Sequence, residues 1–196
     1  PAHTYCASAI PFGRTGAKIV WADIDRDTFV VTEETLKPLI NSNTKAIVVV
    51  HLYGLCADMP KILNLIEGQD ILLLEDCAQA LGSSCDGIKA GNFGDMSVFS
   101  FQSQKNISTM GEGGMLCIKS PKLAEKVYGL RHNGHKPFTE PREHYWKPAM
   151  VNVQEDLIHH WPYNFCLSEV QCAIGRALLK RVDEINDLRR QRSDLI

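Results

Sequence analysis

The sequence predicts an α/β fold in which helices cover both faces of a mostly parallel β-sheet, forming three αβα layers. Short apolar segments alternate with helical segments along the first two thirds of the chain. Several apolar segments are hydrophobic at every position, which is typical of parallel strands buried on both faces. The order strand, helix, strand implies right-handed crossovers and therefore a doubly wound domain.

Five apolar segments are predicted strands. They cover residues 18–22, 46–50, 71–74, 96–101 and 115–118. Only a glycine-rich loop separates the last two, whereas a parallel return requires a crossover of about a dozen residues. We therefore expect the strand that ends at Ile118 to run antiparallel to its predecessor.

Helices are predicted between these strands, over residues 32–40, 59–67 and 121–130. Thr32, with Glu33 and Glu34 in the first turn, suits a helix start, although Thr35 in place of Glu or Gln is not a full capping box. Prolines and aromatic residues after Leu130 predict an irregular but ordered stretch of about thirty residues. From Ser168 onward, apolar residues at helical spacing predict further helices, the last of which leaves the sheet domain.

Composition and charge limit the functional classes. The 196 residues can bury a substantial core, and 44% hydrophobic with 22% charged residues indicates a globular protein. A net charge of -2 offers no broad surface for nucleic acid or an anionic membrane, so neither partner is expected. No apolar segment approaches the roughly 18 residues of a transmembrane helix, and no leader pattern opens the sequence, so we expect a cytoplasmic protein.

The cysteines and histidines do not show the spacing of metal ligands. Seven cysteines lack a CxxC pair, and several lie in apolar segments, which favours reduced, buried thiols over disulfides or a zinc site. The seven histidines also lack ligand spacing. No metal site is predicted.

An acid and a lysine follow two of the predicted strands. Asp76 ends the apolar run that starts at Ile71, and Lys105 lies between Phe101 and the glycine-rich turn 111–114. If these strands are neighbours, both side chains project from the strand ends where open α/β sheets bind ligands. A pyridoxal-phosphate enzyme requires this pair: a lysine to hold the aldehyde as a Schiff base, and an acid to keep the pyridine nitrogen protonated.

Five motifs together resemble the DegT/StrS family of nucleotide-sugar aminotransferases. They lie at residues 51–54, 75–80, 91–95, 99–106 and 111–114, and their order and spacing match the family across nearly the whole chain. The resemblance implies the type I fold of pyridoxal-phosphate transferases, with a seven-stranded type of sheet that is incomplete here. It also implies pyridoxal 5'-phosphate as cofactor and a homodimer with shared active sites.

The resemblance assigns roles to four residues in or just after two of the predicted strands. Lys105 matches the Schiff-base lysine that moves a proton between the amino donor and the cofactor; a solvated surface lysine is the alternative. Asp76 matches the partner of the pyridinium nitrogen, or else caps the helix that follows its strand. Gln79 matches the glutamine that binds the phenolic oxygen. Ser100 matches a serine near the phosphate, or else bonds backbone within a buried strand.

Further site residues are implied on both sides of these motifs. Tyr5 resembles the aromatic residue that stacks on the pyridine ring, although a core tyrosine near a strand end fits its position nearly as well. Asn164 resembles an asparagine that contacts the cofactor phosphate of the neighbouring subunit. Cys166 stands where many relatives carry an arginine, which puts an anion contact there in doubt. His51 and Tyr53 are expected to support the pocket wall from the core or behind the site.

The resemblance also predicts a domain division. Residues 1–175 correspond to the large cofactor-binding domain without its N-terminal part, and residues 176–196 to a helix that leads to an absent smaller C-terminal domain. Relatives usually hold the phosphate at a helix N-terminus that precedes the first strand seen here. We therefore expect the chain to be the central part of a longer enzyme, whose loop 136–161 and absent C-terminal part select the substrate.

The implied function is a pyridoxal-phosphate-dependent aminotransferase that moves an amino group from an amino acid, such as glutamate, to a nucleotide-linked keto sugar. A related sugar dehydratase or deoxygenase is one alternative, but such relatives commonly carry histidine in place of the lysine, so Lys105 counts against it. A catalytically inactive truncated paralogue or regulator is another, against which the intact set of site residues argues. A nicotinamide-binding domain is disfavoured because no G-x-G-x-x-G follows the first strand.

Overall fold

The computed structural model describes residues 1–138, 152–154, 157 and 160–195. The chain divides into two compact units. The sheet unit comprises Pro1–Cys117 with Val170–Ile196, and the second unit comprises Ile118–Glu169. Each unit is described by itself.

Six strands are present in the described residues. They are β1 (Ala46–Val50), β2 (Leu72–Asp76), β3 (Ser84–Cys85), β4 (Ile88–Lys89), β5 (Met96–Ser100) and β6 (Gly114–Ile118). One sheet has the order β1-β2-β5-β6, and β3 and β4 form a separate antiparallel pair. β2 is parallel to both neighbours, with Val50 and Val98 opposite Asp76. The predicted α/β class with a mostly parallel sheet is confirmed.

The connection from β5 to β6 folds back on itself, as the short glycine-rich loop predicts. Phe101 N donates to Gly113 O at 2.8 Å, and Ser103 N donates to Gly111 O at 2.7 Å. The two bonded segments advance in opposite directions, which is the pattern of antiparallel strands. Close approach also requires glycine at the start of β6, because a Cβ on Gly114 would lie 2.8 Å from Phe99 O.

The strand predicted over residues 18–22 is wrong. In the described part of the chain this segment forms no ladder with another strand, and its carboxyl end accepts a hydrogen bond from Ala2 N to Ala22 O at 2.7 Å. Its apolar residues are not all buried either, since Val20 and Trp21 are exposed. The apolar pattern alone does not produce a strand without a partner for its backbone groups.

Six α-helices are present in the part of the chain that the structure describes. They are α1 (Ile10–Arg14), α2 (Glu33–Leu36), α3 (Met59–Ile66), α4 (Pro121–Arg131), α5 (Glu169–Leu179) and α6 (Val182–Ser193), with 3-10 turns at Cys6–Ser8 and Lys37–Leu39. The helices predicted over 59–67 and 121–130 are confirmed to within a residue, whereas the one predicted over 32–40 is the short α2 followed by a 3-10 turn, and α1 was not predicted. Thr32 and Thr35 also form a reciprocal capping box at α2, because the Thr35 hydroxyl accepts from Thr32 N where a glutamate usually does.

The core of the sheet unit lies between β1, β2 and the helices α2 and α3. In α3, Met59, Ile62 and Ile66 lie on one face and are buried against Val49 and other core residues. Burial of each such side chain contributes about 1.5–3 kcal/mol relative to exposure. Packing of α3 therefore holds β1 and β2 in place and with them the strand ends that carry the candidate site.

α6 is attached to the sheet unit through a buried asparagine. Asn186 Nδ2 donates to Leu81 O at 2.9 Å, and Asn186 Oδ1 accepts from Asn106 Nδ2 at 2.9 Å. Gly82 adopts φ +91, and a Cβ there would lie 2.5 Å from Asn186 Nδ2. One side chain thus joins the loop after β2 to the loop that contains Lys105.

The second unit continues from α4 into an antiparallel bridge. His132 pairs with Asn164, while Asn133 N donates to Tyr163 O at 2.9 Å. Gly129 is buried, and its amide donates to Gln154 Oε1 at 3.0 Å. The irregular stretch predicted after Leu130 therefore contains some paired backbone, and most of the predicted specificity loop 136–161 lies outside the described residues.

The cysteines are all free thiols, as expected. The expectation that they are buried is only partly correct, because Cys77 alone is buried, Cys56 and Cys85 are half-buried, and the other four are exposed. Burial raises the pKa of the Cys56 thiol to about 12.

None of the described helices has the length and apolar character that crossing a membrane requires.

Candidate active site

The carboxyl ends of β1, β2 and β5 meet at one edge of the sheet. His51 N donates to Asp76 O at 3.0 Å, and Cys77 N donates to Val98 O at 2.9 Å. Beyond the strand ends, Gly54 N donates to Gln79 O at 2.9 Å. The segments that carry Asp76, Gln79 and Ser100 therefore leave the sheet side by side, where parallel α/β sheets bind ligands.

Asp76 is half-buried, and both of its carboxylate oxygens accept a hydrogen bond. Ser8 Oγ donates to Oδ2 at 2.6 Å, and Ala78 N donates to Oδ1 at 3.0 Å. Ser8 also contacts the hydroxyl of Thr4, at 2.7 Å. The carboxylate is held in one orientation and retains further lone pairs, since a carboxylate can accept about four hydrogen bonds.

Lys105 lies in the loop after β5. Its backbone N donates to Gln102 O at 2.9 Å, the residue is half-buried, and its ammonium has no hydrogen-bond or ion-pair partner among the described residues. Gln102 N in turn donates to Ser100 Oγ at 3.4 Å, which leaves the serine O–H available as a donor. The loop thus presents an amine and a hydroxyl, neither of which donates to a described protein group.

The three remaining predicted residues are all exposed. Gln79 is at the surface beyond β2, and Tyr5 is 73% exposed, so Tyr5 is not a core tyrosine. Asn164 belongs to the second unit, where it pairs with His132. Tyr53 is 70% exposed, which excludes a core role for it, while His51 is fully buried.

A buried histidine and a buried glutamate lie directly behind the strand ends. Glu75 and His51 are both 0% exposed, and His51 Nε2 lies 3.0 Å from Glu75 Oε2. Ala57 N donates to His51 Nδ1 at 3.1 Å, so that nitrogen carries the lone pair and Nε2 carries the proton. His51 therefore donates to Glu75, and its tautomer is set by the backbone of the loop after β1.

Glu75 also holds the loop that precedes β5. Its Oε2 accepts from Gly91 N at 2.7 Å, and its Oε1 accepts from Phe93 N at 2.8 Å and Gly94 N at 2.6 Å. Burial raises the pKa of the Glu75 carboxyl, but hydrogen bonds from His51 and from the Gly94 and Gly91 amides outweigh burial and hold the pKa below its ordinary value. The carboxylate stays ionised and connects three segments behind the candidate site.

Potential metal ligands occur together at the same place. Ligand atoms of His51, Glu75 and Cys77 lie within 4.8 Å of one another. Each Glu75 oxygen already accepts two N–H groups, however, and burial raises the pKa of the Cys77 thiol, so it stays protonated. His51 and Glu75 are thus occupied by hydrogen bonds of the protein and Cys77 keeps its proton, so the three do not form an open ligand set.

The groups at the strand ends fit the chemical requirements of pyridoxal phosphate. Asp76 offers an oriented acceptor for a protonated ring nitrogen, Lys105 offers an amine for the aldehyde, and Ser100 offers a donor for a phosphate oxygen. The amide of Gln79 can donate to a phenolic oxygen. The exposed ring of Tyr5 has a free face for a planar ligand.

Sequence reasoning did not identify Ser8, Thr4 or the role of Glu75. Ser8 and Asp76 are 68 residues apart, and no local pattern connects them. Glu75 could have been recognised, because it alternates with Leu73 along β2 and so faces the same buried side. A charged residue on the buried face of a strand indicates a paired, hydrogen-bonded group.

Comparisons with known proteins agree with this geometry. The family model for the DegT/DnrJ/EryC1/StrS aminotransferase family matches residues 1–196. GDP-perosamine synthase of Caulobacter vibrioides is 39% identical over 94% of this chain and 45% of its own length. L-glutamine:2-deoxy-scyllo-inosose aminotransferase of Streptomyces kanamyceticus is 36% identical over 100% of this chain and 44% of its own.

Among solved structures, an E. coli GDP-4-keto-6-deoxy-D-mannose-3-dehydratase with bound hydrated PLP superposes with a TM-score of 0.82. It is 28% identical, and the match covers 99% of this chain and 50% of that one. The chain thus spans about half the length of the curated relatives it matches. With a family model that matches along its whole length, the chain belongs to the DegT/DnrJ/EryC1/StrS aminotransferase family.

Proposed function

We propose that the protein carrying this chain is a pyridoxal-phosphate-dependent aminotransferase that moves an amino group from an amino acid to a nucleotide-linked keto sugar. The proposal is carried by the occurrence of two groups together: Lys105, whose ammonium has no partner among the described residues, and the oriented carboxylate of Asp76. Both follow the carboxyl ends of neighbouring parallel strands in a chain of an aminotransferase family.

Each site residue has a distinct role in the proposed reaction. When bound, pyridoxal phosphate supplies a ring that withdraws electrons from the carbon whose proton is removed. Lys105 Nζ binds the aldehyde and, once released, moves the proton. Asp76 accepts a hydrogen bond from the ring nitrogen and keeps it protonated, while Gln79 and Ser100 orient the ring and its phosphate.

The remaining roles involve the aromatic ring of Tyr5 and a neighbouring subunit. Tyr5 covers one face of the cofactor, which its exposure permits. Asn164 reaches the phosphate of the neighbouring subunit in a homodimer with shared active sites. The division into a cofactor-binding domain over 1–175 and a helix over 176–196 that leads to a smaller domain belongs to the same proposal, as does a cytoplasmic location.

The relatives support a sugar acceptor and leave the donor to be tested. The Caulobacter relative is named for a GDP-linked sugar, and this favours a nucleotide sugar as the acceptor. The Streptomyces relative is named for L-glutamine and a cyclic sugar-derived ketone without a nucleotide. We propose glutamate as the donor, so glutamine is the direct competitor in the experiment below.

A sugar dehydratase is the second candidate, because the superposed E. coli structure is one. Lys105 favours amino transfer over dehydration, since the resemblance associates dehydratase activity with histidine at this position. An amine here can both hold the aldehyde and return a proton, as both halves of a transfer require.

The proposal is tested by the first half-reaction. The intact protein is saturated with pyridoxal phosphate and mixed with glutamate or glutamine, and the keto acid formed is quantified. We expect stoichiometric 2-oxoglutarate from glutamate, and subsequent amination of a nucleotide-linked keto sugar detected by mass spectrometry. Lys105→Ala should abolish both steps, whereas Lys122→Ala, an exposed lysine of α4, should not. Absence of keto acid with either donor, or full activity of Lys105→Ala, contradicts the proposal.

A further inference from the structure

The carboxylate of Asp76 is the end point of a hydrogen-bond chain that begins in the segment around Tyr5. Ser8 Oγ donates to Asp76 Oδ2 at 2.6 Å, and the hydroxyls of Thr4 and Ser8 are 2.7 Å apart. Ser8 has one hydroxyl proton, and Ser8 uses it in the hydrogen bond that it donates to Asp76. Thr4 must therefore be the donor to Ser8, so the chain runs in one direction from Thr4 through Ser8 to Asp76.

The carboxylate of Asp76 is held at both of its oxygens. Ala78 N donates to Asp76 Oδ1 at 3.0 Å, so each oxygen has a donor from the protein. A short hydroxyl–carboxylate bond is of the charge-assisted kind, and its polarity increases when the hydroxyl itself accepts a hydrogen bond. Thr4 and Ser8 thus fix the orientation of Asp76 at the strand end.

The same turn carries Tyr5. Ser8 N donates to Tyr5 O at 3.0 Å and closes the 3-10 turn Cys6–Ser8. The two hydroxyls flank the exposed aromatic ring in sequence, and all three residues belong to the sheet unit together with Asp76. A single turn therefore supplies an aromatic face and the support for the carboxylate.

We propose that Ser8 and Thr4 are positioning residues that act through Asp76 and make the site selective for a protonated pyridine nitrogen. The inference rests on the proposed function, because pyridoxal phosphate supplies that nitrogen. The two hydroxyls act through their hydrogen bonds to each other and to Asp76. They hold the acceptor that the ring nitrogen meets, so their contribution disappears when the ring carries no N–H.

The test compares two ligands that differ only at the ring nitrogen. Pyridoxal phosphate and 1-deazapyridoxal phosphate, in which C–H replaces the nitrogen, are titrated into the intact protein by equilibrium dialysis. Wild type should prefer pyridoxal phosphate. Ser8→Ala should lose about tenfold in affinity for pyridoxal phosphate, because the carboxylate is no longer held in the orientation that a bond to the ring nitrogen requires, and keep its affinity for the deaza analogue.

Two further variants separate positioning from structural damage. Ser8→Thr keeps a hydroxyl and should restore the affinity for pyridoxal phosphate. Thr4→Val should cause a smaller selective loss, and in the Ser8→Ala background it should add nothing, because Thr4 acts through Ser8. Thr4→Val also provides the comparison if Ser8→Ala does not fold. Ser84→Ala, an exposed serine of β3, is the matched control.

The outcomes distinguish the two levels of the proposal. Equal losses for both ligands in Ser8→Ala, additive losses in the double variant, or a wild type without preference would overturn the role of the hydroxyls. A wild type that binds neither ligand would overturn the proposed function itself. A selective loss that Ser8→Thr restores supports both.

Discussion

Replacing Glu75 by Gln is expected to destabilise the protein strongly, although the two side chains have nearly the same shape. The carboxylate accepts hydrogen bonds from His51 Nε2 at 3.0 Å, Gly91 N at 2.7 Å, Phe93 N at 2.8 Å and Gly94 N at 2.6 Å. Glutamine keeps one oxygen and turns the other into an NH2 group. Either orientation of the amide leaves two of these donors facing another donor.

The hydrogen bonds around residue 75 cannot rearrange without a further cost in free energy. A neutral His51 can accept at Nε2 only if Nδ1 carries the proton. The Ala57 amide, which now donates to Nδ1 at 3.1 Å, would then have no acceptor. Each buried donor without an acceptor costs about 1–3 kcal/mol. Two such donors predict a loss of about 2–6 kcal/mol in the free energy of unfolding, a large fraction of the roughly 5–15 kcal/mol of a typical domain.

Urea unfolding followed by tryptophan fluorescence measures this loss. Glu67→Gln at the exposed end of α3 is the matched control and should change the unfolding free energy by less than about 0.5 kcal/mol. A loss below about 1 kcal/mol for Glu75→Gln at neutral pH would refute the reasoning, because it would mean that the donors find other partners or were not paired.

The same carboxyl predicts a dependence on pH. Its native pKa lies below the ordinary value of 4.5, so ionisation stabilises the fold above the unfolded pKa, and this stabilisation is lost as the pH falls through the native pKa. Glu75→Gln lacks this contribution. The difference in unfolding free energy between wild type and variant should therefore shrink below about pH 4.5; a difference that stays constant would contradict the assignment.

Three further perturbations test other parts of the structure. Gly94→Ala would place a Cβ 2.6 Å from Leu73 O and should cost about 1–3 kcal/mol of stability by urea unfolding. Gly13→Ala should not, because its Cβ would make an ordinary van der Waals contact 3.8 Å from Ile19 Cδ1. Asn186→Ala removes the partners of Leu81 O and Asn106 and should cost about 1–3 kcal/mol and increase amide exchange around Lys105, with exposed Asn64→Ala as control. Because burial raises the pKa of Cys56 to about 12, iodoacetamide at neutral pH should alkylate exposed Cys6 much faster than Cys56, as read from peptide masses; equal rates would contradict the burial.

The strands and helices that could be predicted are those whose signal is local. Residues 46–50 form β1 as expected, because a run of β-branched apolar residues suits a buried strand. α3 follows from apolar residues at helical spacing behind the N-cap Asp58. The segment 18–22 has the same kind of apolar residues but forms no strand, since strand formation depends on a partner that no local pattern specifies.

The same difference between local signals and distant partners applies to the candidate site. Asp76, Ser100 and Lys105 could be placed at strand ends because apolar runs end there, and the parallel register brings the ends of β2 and β5 together. The burial of Glu75 could be recognised, but the partners that support the site could not be predicted, since Ser8 and Asp76 are joined across 68 residues and His51 and Glu75 across 24. Contacts of this kind depend on tertiary packing, which leaves no periodic trace in the sequence.

Covalent trapping at Lys105 tests the central claim most directly. The intact protein is incubated with pyridoxal phosphate, reduced with borohydride, digested and analysed by mass spectrometry, with visible spectra recorded before and after reduction. We predict a visible absorption band that disappears on reduction, and the mass of the reduced cofactor on the peptide that contains Lys105, with no such band in Lys105→Ala. A label on another lysine, or a band that persists in Lys105→Ala, would contradict the assignment of Lys105 as the cofactor-binding residue.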